Sequence, residues 1–162
     1  MNDIRVLQPA DKETGLTRRD VFVKGGLLAV GATILGAPAA AAATRLVTVT
    51  SSRIVPVKLN EFNILPAKQS APAGKVTFIL KNTGKITHEF VVIATPKAAG
   101  NLLGGDHGPN RADESGAVGV VGELKPGQTK KLTLTLKKGH YALLCNLPGH
   151  YKAGQFADFY VR

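Results

Sequence analysis

The chain of 162 residues has one cysteine, Cys145, one methionine, Met1, and no tryptophan. A lone thiol excludes an internal disulfide, which leaves Cys145 as a metal ligand, a nucleophile, an intermolecular link or a small buried hydrophobe. Acidic residues are scarce as well, 11 against 21 basic ones, for a formal net charge of +10. No window carries a convincing helical period. Long apolar runs are missing too: the uncharged stretch from Gly25 to Ala37 is shorter than the roughly 20 residues that span a bilayer, and its glycines and alanines make it weakly hydrophobic.

What that stretch does have is a position. Thr17-Arg-Arg-Asp-Val-Phe-Val-Lys24 leads into it and a string of alanines up to Ala43 follows, the three parts of a secretory leader. The paired arginines and the Gly-rich apolar region resemble a twin-arginine export signal, although Val21 stands two residues after the pair with Phe22 behind it. The expectation is a leader over residues 1–43, cleaved near Ala43, and a mature domain over 44–162. A retained anchor and a buried helix are the alternatives. Cleavage removes five basic and four acidic residues and leaves a net charge of +9.

That basic balance points to nucleic acid, an anionic membrane surface or an acidic protein. Export argues against nucleic acid, and against any membrane span once the leader is gone. The lysines are scattered singly or in pairs, so a solvated basic face explains them as well as a docking surface does. Export, to the periplasm or another extracytoplasmic space, also sharpens the cysteine: oxidising compartments use cysteines in pairs, and here there is only one.

Past the leader, short strands alternate with turns. Leu46 to Thr50 alternates, Arg53 to Leu65 is extended but broken by Pro56 as suits an edge strand, and Lys75 to Lys81 is a central strand. Further strands are expected over 88–95, 117–124, 129–136, 141–145 and 155–161, with turns at Asn82-Thr-Gly84, Lys125-Pro-Gly127 and Lys137-Lys-Gly139. Seven or eight strands in this length predict an all-β fold, an antiparallel Greek-key sandwich, with a closed barrel as runner-up. The loop from Pro96 to Gly116 is long for a compact domain and reads as disordered or as a docking element. Asp106-His107 within it is a weak candidate for a second metal.

The chemistry gathers on Cys145-Asn-Leu-Pro-Gly-His150-Tyr-Lys-Ala-Gly-Gln155. Strand alternation puts Tyr141, Leu143 and Cys145 on one face, which turns the sulfur into the sandwich end. His88 begins a strand and shares a face with Phe90 and Val92. A thiolate, two imidazoles and a weak fourth donor make the trigonal site of mononuclear blue copper, in which the axial position takes Met, Gln or a backbone oxygen. His88, Cys145, His150 and Gln155 are therefore the candidate ligands. His140, on the opposite face from Cys145, and His107 are expected to be solvated.

The segment from about Val57 to Arg162 resembles a cupredoxin, the small copper protein of the plastocyanin and azurin type. The resemblance rests on Asn82-x-Gly84-x-x-x-His88, on Val121-Gly-Glu-Leu-Lys-Pro-Gly127, and above all on Gly139-x-Tyr141-x-x-x-Cys145-x4-His150-x4-Gln155. Many relatives have methionine at the last ligand position. Met1 leaves with the leader, so Gln155 there resembles the stellacyanin variation and implies a lower potential, because an amide oxygen favours Cu(II).

The resemblance implies one copper ion, no enzymatic activity, and a monomer that carries single electrons to a redox partner. It also implies an exit route through His150, ringed by Leu147-Pro148-Gly149 and Tyr151, with Lys152 and Lys85 selecting an acidic partner. Copper sequestration or delivery is the alternative, though the mature chain lacks the Met- or Cys-rich sites that hold Cu(I). Hydrolysis by Cys145 and His150 lacks an orienting third group, and no two histidines are spaced as the His-x-His pairs of multicopper oxidases require.

Overall fold

The structure, a computed structural model, describes residues 4–6, 52–104 and 107–162. Ten strands are described: β1 (Ile4–Val6), β2 (Ile54–Asn60), β3 (Asn63–Pro66), β4 (Ser70–Ala71), β5 (Gly74–Asn82), β6 (His88–Ala94), β7 (Ala117–Leu124), β8 (Thr129–Leu136), β9 (Gly139–Leu144) and β10 (Phe156–Val161). They form a six-stranded sheet, β1-β7-β6-β9-β10-β4, facing a four-stranded one, β3-β2-β5-β8. The expected sandwich is there, but both sheets are mixed: β2 runs parallel to β5, and β10 parallel to β4. Both parallel pairs join strands that are not connected by a tight hairpin, so turn signals could not reveal their direction.

Strands β5 to β10 fall within a residue or two of their expected bounds, because each is a run of β-branched and apolar residues ended by Gly, Pro or Asn. The Lys125-Pro-Gly127 turn closes with the Gln128 amide donating to the Lys125 carbonyl at 3.0 Å, and Gly127 takes the φ of +74° that the third position of such a turn needs. The expected strand over 46–50 and almost all of the expected leader lie outside the described residues. The exception is β1, which pairs antiparallel with β7, Arg5 opposite Val120.

Pro56 does not mark an edge. It lies in β2, an internal strand, and β3 is the edge. The ladder with β3 starts only at Val57, so the side of Pro56 that lacks an N–H meets the end of that ladder, while its carbonyl accepts from the Ala67 amide at 2.8 Å.

Alternation supplies the main core. Val55, Val57 and Leu59, Val76, Phe78 and Leu80, and Leu132, Leu134 and Leu136 point from the four-stranded sheet onto Phe90, Val92, Leu143 and Phe159 of the other. Phe78 packs against Phe90 and Phe159, each with ring centroids 5.4 Å apart. Full burial contributes roughly 1.5–3 kcal/mol per large apolar side chain, which lets a sandwich of this size hold without a disulfide.

Strands β6 and β9 are buried on both faces. Val91, Ile93, Ala142 and Leu144 point away from the main core into a second cluster with Ala99, Leu102, Ala112 and Tyr151. The described part of the 96–116 loop is thus a packed cover on the outer face of the sheet, which corrects the reading of it as disordered. The unbroken Val91-Val92-Ile93 run is its signature, since a strand covered on both faces has no reason to alternate.

Candidate metal centre

The order β6-β9-β10, with β9 antiparallel to both neighbours, brings the start of β6, the end of β9 and the start of β10 to one end of the sheet. His88, Cys145 and Gln155 stand there. The intervening loop folds back on itself: the Cys145 amide donates to the Gln155 carbonyl at 3.1 Å, the His150 amide to Leu147 at 3.0 Å and the Gln155 amide to His150 at 3.1 Å. Gly149, at φ +83°, makes the bend that returns His150 toward Cys145.

The donor atoms converge. His150 Nδ1 lies 3.3 Å from Cys145 Sγ, 3.4 Å from His88 Nδ1 and 3.1 Å from Gln155 Oε1. Ligand atoms of His88, Cys145 and His150 all lie within 4.8 Å of one another, the one such cluster among the described residues. Cys145, His88 and Gln155 are fully buried, and His150 is partly exposed. All four expected site residues are therefore brought together.

Burial pushes the Cys145 thiol up to about 11, against an amide of Glu89 that donates to Sγ at 3.3 Å and pulls the other way. Burial first, and the facing His150 second, lower the pKa of His88. The protein alone thus favours a thiol and a neutral imidazole at these positions. A cation placed among these atoms reverses the balance at sulfur, because it stabilises the thiolate directly.

Two supports hold the centre. On the His88 side, buried Asn82 donates through Nδ2 to the carbonyls of Ile86 and Leu124, each at 2.7 Å, and accepts from the Gly84 amide at 2.8 Å. That is the physical content of the Asn82-x-Gly84 spacing. A bulge in β7, where Gly122 and Glu123 intervene between the partners of His88 and Phe90, turns the strand end toward the centre. On the loop side, Tyr151 donates to the Ala99 carbonyl at 2.6 Å and accepts from the Leu102 amide at 2.8 Å, while Asn146 is bonded to both the amide and the carbonyl of Ala112. Tyr151 is only 1% exposed, so it anchors the loop from below and does not belong to a surface patch.

The turn between β2 and β3 went unnoticed in the sequence. Gln155 Nε2 donates to the Asn60 carbonyl at 2.8 Å and lies 3.5 Å from that of Asn63, which directs Oε1 to the donor cluster. Phe62 stands edge-on to the His150 ring with centroids 5.3 Å apart. Glu61 Oε1 accepts from the amides of Lys85 at 2.5 Å and Ile86 at 3.0 Å. These amides, that of Lys85 foremost, hold the Glu61 carboxyl below its ordinary pKa. Asn60 and Asn63 at the hairpin tip suggest a turn; nothing in Asn60-Glu-Phe-Asn63 suggests a metal centre.

His140 is not simply solvated. Its ring bridges the Thr95 carbonyl at 2.7 Å and the Asp158 carboxylate at 2.8 Å, tying β9 to β10 and to the loop after β6. His107 is exposed, as expected, and Asp106 beside it lies outside the described residues.

Against known proteins, the family profile of the cupredoxin-like domain matches residues 26–156, most of the chain. The chain belongs to the cupredoxin-like family. The copper-resistant cuproprotein CopI of Vibrio cholerae is 33% identical to this cupredoxin over 84 residues, 51% of this chain and 48% of that protein, so the match spans about half of that relative's length. The copper-resistant cuproprotein CopI of Pseudomonas aeruginosa is 28% identical over 144 residues, covering 69% of this chain and 77% of its own. Among solved structures, reduced auracyanin from the photosynthetic bacterium Roseiflexus castenholzii superposes with a TM-score of 0.53 at 23% identity, over 68% of this chain and 98% of that one, a likeness of fold. The donor set of this cupredoxin, one sulfur and two imidazole nitrogens with an amide oxygen beside them, fits one copper ion.

Proposed function

We propose that this cupredoxin is an exported mononuclear type 1 copper protein that carries single electrons between redox partners. The observation that carries the reading is the convergence of Cys145 Sγ and His88 Nδ1, at buried strand ends, with His150 Nδ1 from the partly exposed loop and Gln155 Oε1 beside them. Thiolate and imidazole donors together select copper over hard cations, and the affinity order places Cu(II) above Zn(II) where copper is present. His88, Cys145, His150 and Gln155 would hold the copper, which would supply a one-electron couple.

The chain's own residues set how that couple works. Cys145 releases a proton on binding, so affinity rises with pH. His88 and Cys145 sit at the ends of paired strands and Gln155 is tethered to Asn60, so the donors move little between oxidation states and reorganisation stays small. The amide oxygen of Gln155, harder than a thioether, favours Cu(II) and lowers the potential.

Partly exposed His150 is the exit for the electron. Phe62, 38% exposed and edge-on to the His150 ring, joins exposed Pro148 and Gly149, the two residues before His150, in an apolar contact patch. Exposed Lys152, two residues after His150, and exposed Lys85 suit an acidic partner. The leader over 1–43 would direct export to the periplasm and be removed near Ala43, leaving a monomer that transfers electrons and catalyses nothing. Among the described residues no helix is long and apolar enough to cross a membrane.

The test is to add Cu(II) to the purified protein and follow visible absorption. Intense thiolate-to-copper charge transfer is expected, and Cys145→Ser abolishes it; a colourless wild type overturns the reading. The names of the CopI relatives favour a second reading, copper sequestration or delivery in copper resistance. Electron self-exchange separates the two: fast exchange supports a carrier, whereas slow exchange together with lost copper tolerance in a deletion strain supports a store.

A further inference from the structure

The two nitrogens of His88 have opposite fates. Nδ1 faces the donor cluster and accepts from Gln155 Nε2 at 3.0 Å, since that amide nitrogen also donates to the Asn60 carbonyl and its orientation follows from that bond. A neutral imidazole that accepts at Nδ1 has its proton on Nε2. Nε2 is fully buried and has no hydrogen-bond partner, an uncommon state for a buried donor. The carboxylate oxygen nearest to it in an ion-pair sense is Glu61 Oε1, 3.9 Å away.

Glu61 is not there by accident of a flexible side chain. Its Oε1 is seated on the amides of Lys85 and Ile86, the residues that lead into His88. Its place depends on Gly84, where an added Cβ would lie 2.5 Å from Oε1 and 2.7 Å from Oε2. The carboxylate thus occupies a seat built from backbone, beside the one unsatisfied nitrogen of a metal-ligating ring.

We propose that Glu61 is the positioning residue for His88: its carboxylate accepts the Nε2–H, fixes the ring with the Nδ1 lone pair on the metal, and places a negative charge behind that ligand. The two atoms stand 3.9 Å apart, so the proposed bond requires ring and carboxylate to turn toward each other. A carboxylate behind a ligating histidine raises the basicity of the ring, and loss of such a partner typically costs tenfold to a hundredfold in metal affinity. The charge favours the more highly charged Cu(II) over Cu(I). Glu61 therefore acts in the same direction as Gln155, lowering the potential.

The inference rests on the copper reading for its redox part only. Glu61→Gln keeps an oxygen that accepts the Lys85 and Ile86 amides but removes the charge. Two measurements on the full chain decide the matter. In metal-free, 15N-labelled protein, the His88 Nε2–H resonance is expected downfield and slow to exchange, and Glu61→Gln moves it upfield with faster exchange. In the copper-loaded protein, Glu61→Gln raises the potential by about 59 mV, the equivalent of a tenfold loss of Cu(II) preference. Gly84→Ala, which evicts the carboxylate without deleting it, reproduces both changes. Unchanged resonance and potential in Glu61→Gln would mean that Glu61 only fastens the loop, and would overturn the proposal. Failure of the protein to take up copper would instead sink the function proposed above, and the metal-free resonance would still decide the role of Glu61.

Discussion

Two segments hold the centre, and they do so in different ways. The loop from Cys145 to Gln155 brings three of the four candidate donor side chains and is braced from beneath by Tyr151 and Asn146. The hairpin tip Asn60-Glu-Phe-Asn63 brings no donor, yet one of its carbonyls orients the Gln155 amide, its carboxylate seats the loop before His88, and its ring covers His150. The loop determines which atoms are present; the tip determines which way they point. A metal site needs both, because donor identity sets affinity class while orientation sets tautomer, geometry and potential.

This division can be broken experimentally. The largest effect is expected at the brace: Tyr151→Ala removes a fully buried ring and two hydrogen bonds and should cost about 3–5 kcal/mol of stability by chemical denaturation. Tyr151→Phe should cost about 1–3 kcal/mol while leaving the potential nearly unchanged. If Tyr151→Phe shifts the potential as far as a substitution in the hairpin tip does, the separation of bracing from orientation is wrong.

Next comes Gln155→Met, which replaces the amide and frees the Asn60 carbonyl. The potential should rise by at least about 59 mV, a tenfold change in relative Cu(II) preference, as read by voltammetry. No rise would mean that Gln155 would not be a ligand of the bound copper.

Alkaline pH provides a third probe. The folded thiol of Cys145 stands at about 11 against an ordinary 9.0. A raised pKa means that its contribution to metal-free stability is fully present below the unfolded value and is lost as pH rises through the folded one. Metal-free protein should therefore lose stability between pH 9 and 11, and Cys145→Ser should flatten that part of the thermal-melt profile. The smallest effect is expected at the surface: Lys152→Glu should slow reaction with an acidic redox partner a few-fold at low salt and hardly at all at high ionic strength, measured by stopped flow. Equal slowing at both salt concentrations would remove steering from the account.

Legibility followed the same division. His88, Cys145, His150 and Gln155 could be read from residue type and spacing, since soft and imidazole donors at loop intervals have few other uses. Strands β5 to β10 could be read because each is a short run of apolar and β-branched residues bounded by turn residues, alternating cleanly in β8 and unbroken in β6. Pro56 misled, because an internal strand tolerates proline where its neighbour's ladder ends. The 96–116 loop misled because its length concealed a small set of apolar residues, Ala99, Leu102 and Ala112, that close over the outer face of the sheet. His140 misled because alternation predicts a face but not the loop that covers it.

The sequence by itself determined the candidate donor set, the lack of any methionine besides Met1 and the strand periodicities, all properties of residue identity and local spacing. Only the tertiary structure decided the parallel pairing of β2 with β5, the second core behind Tyr151, and the approach of Glu61 to His88 and of Asn60 to Gln155, the latter 95 residues apart in sequence. The physical reason is that hydrogen bonds to backbone carbonyls and amides leave no mark on residue identity. Any residue at position 60 offers a carbonyl, and only the fold determines which side chain meets it.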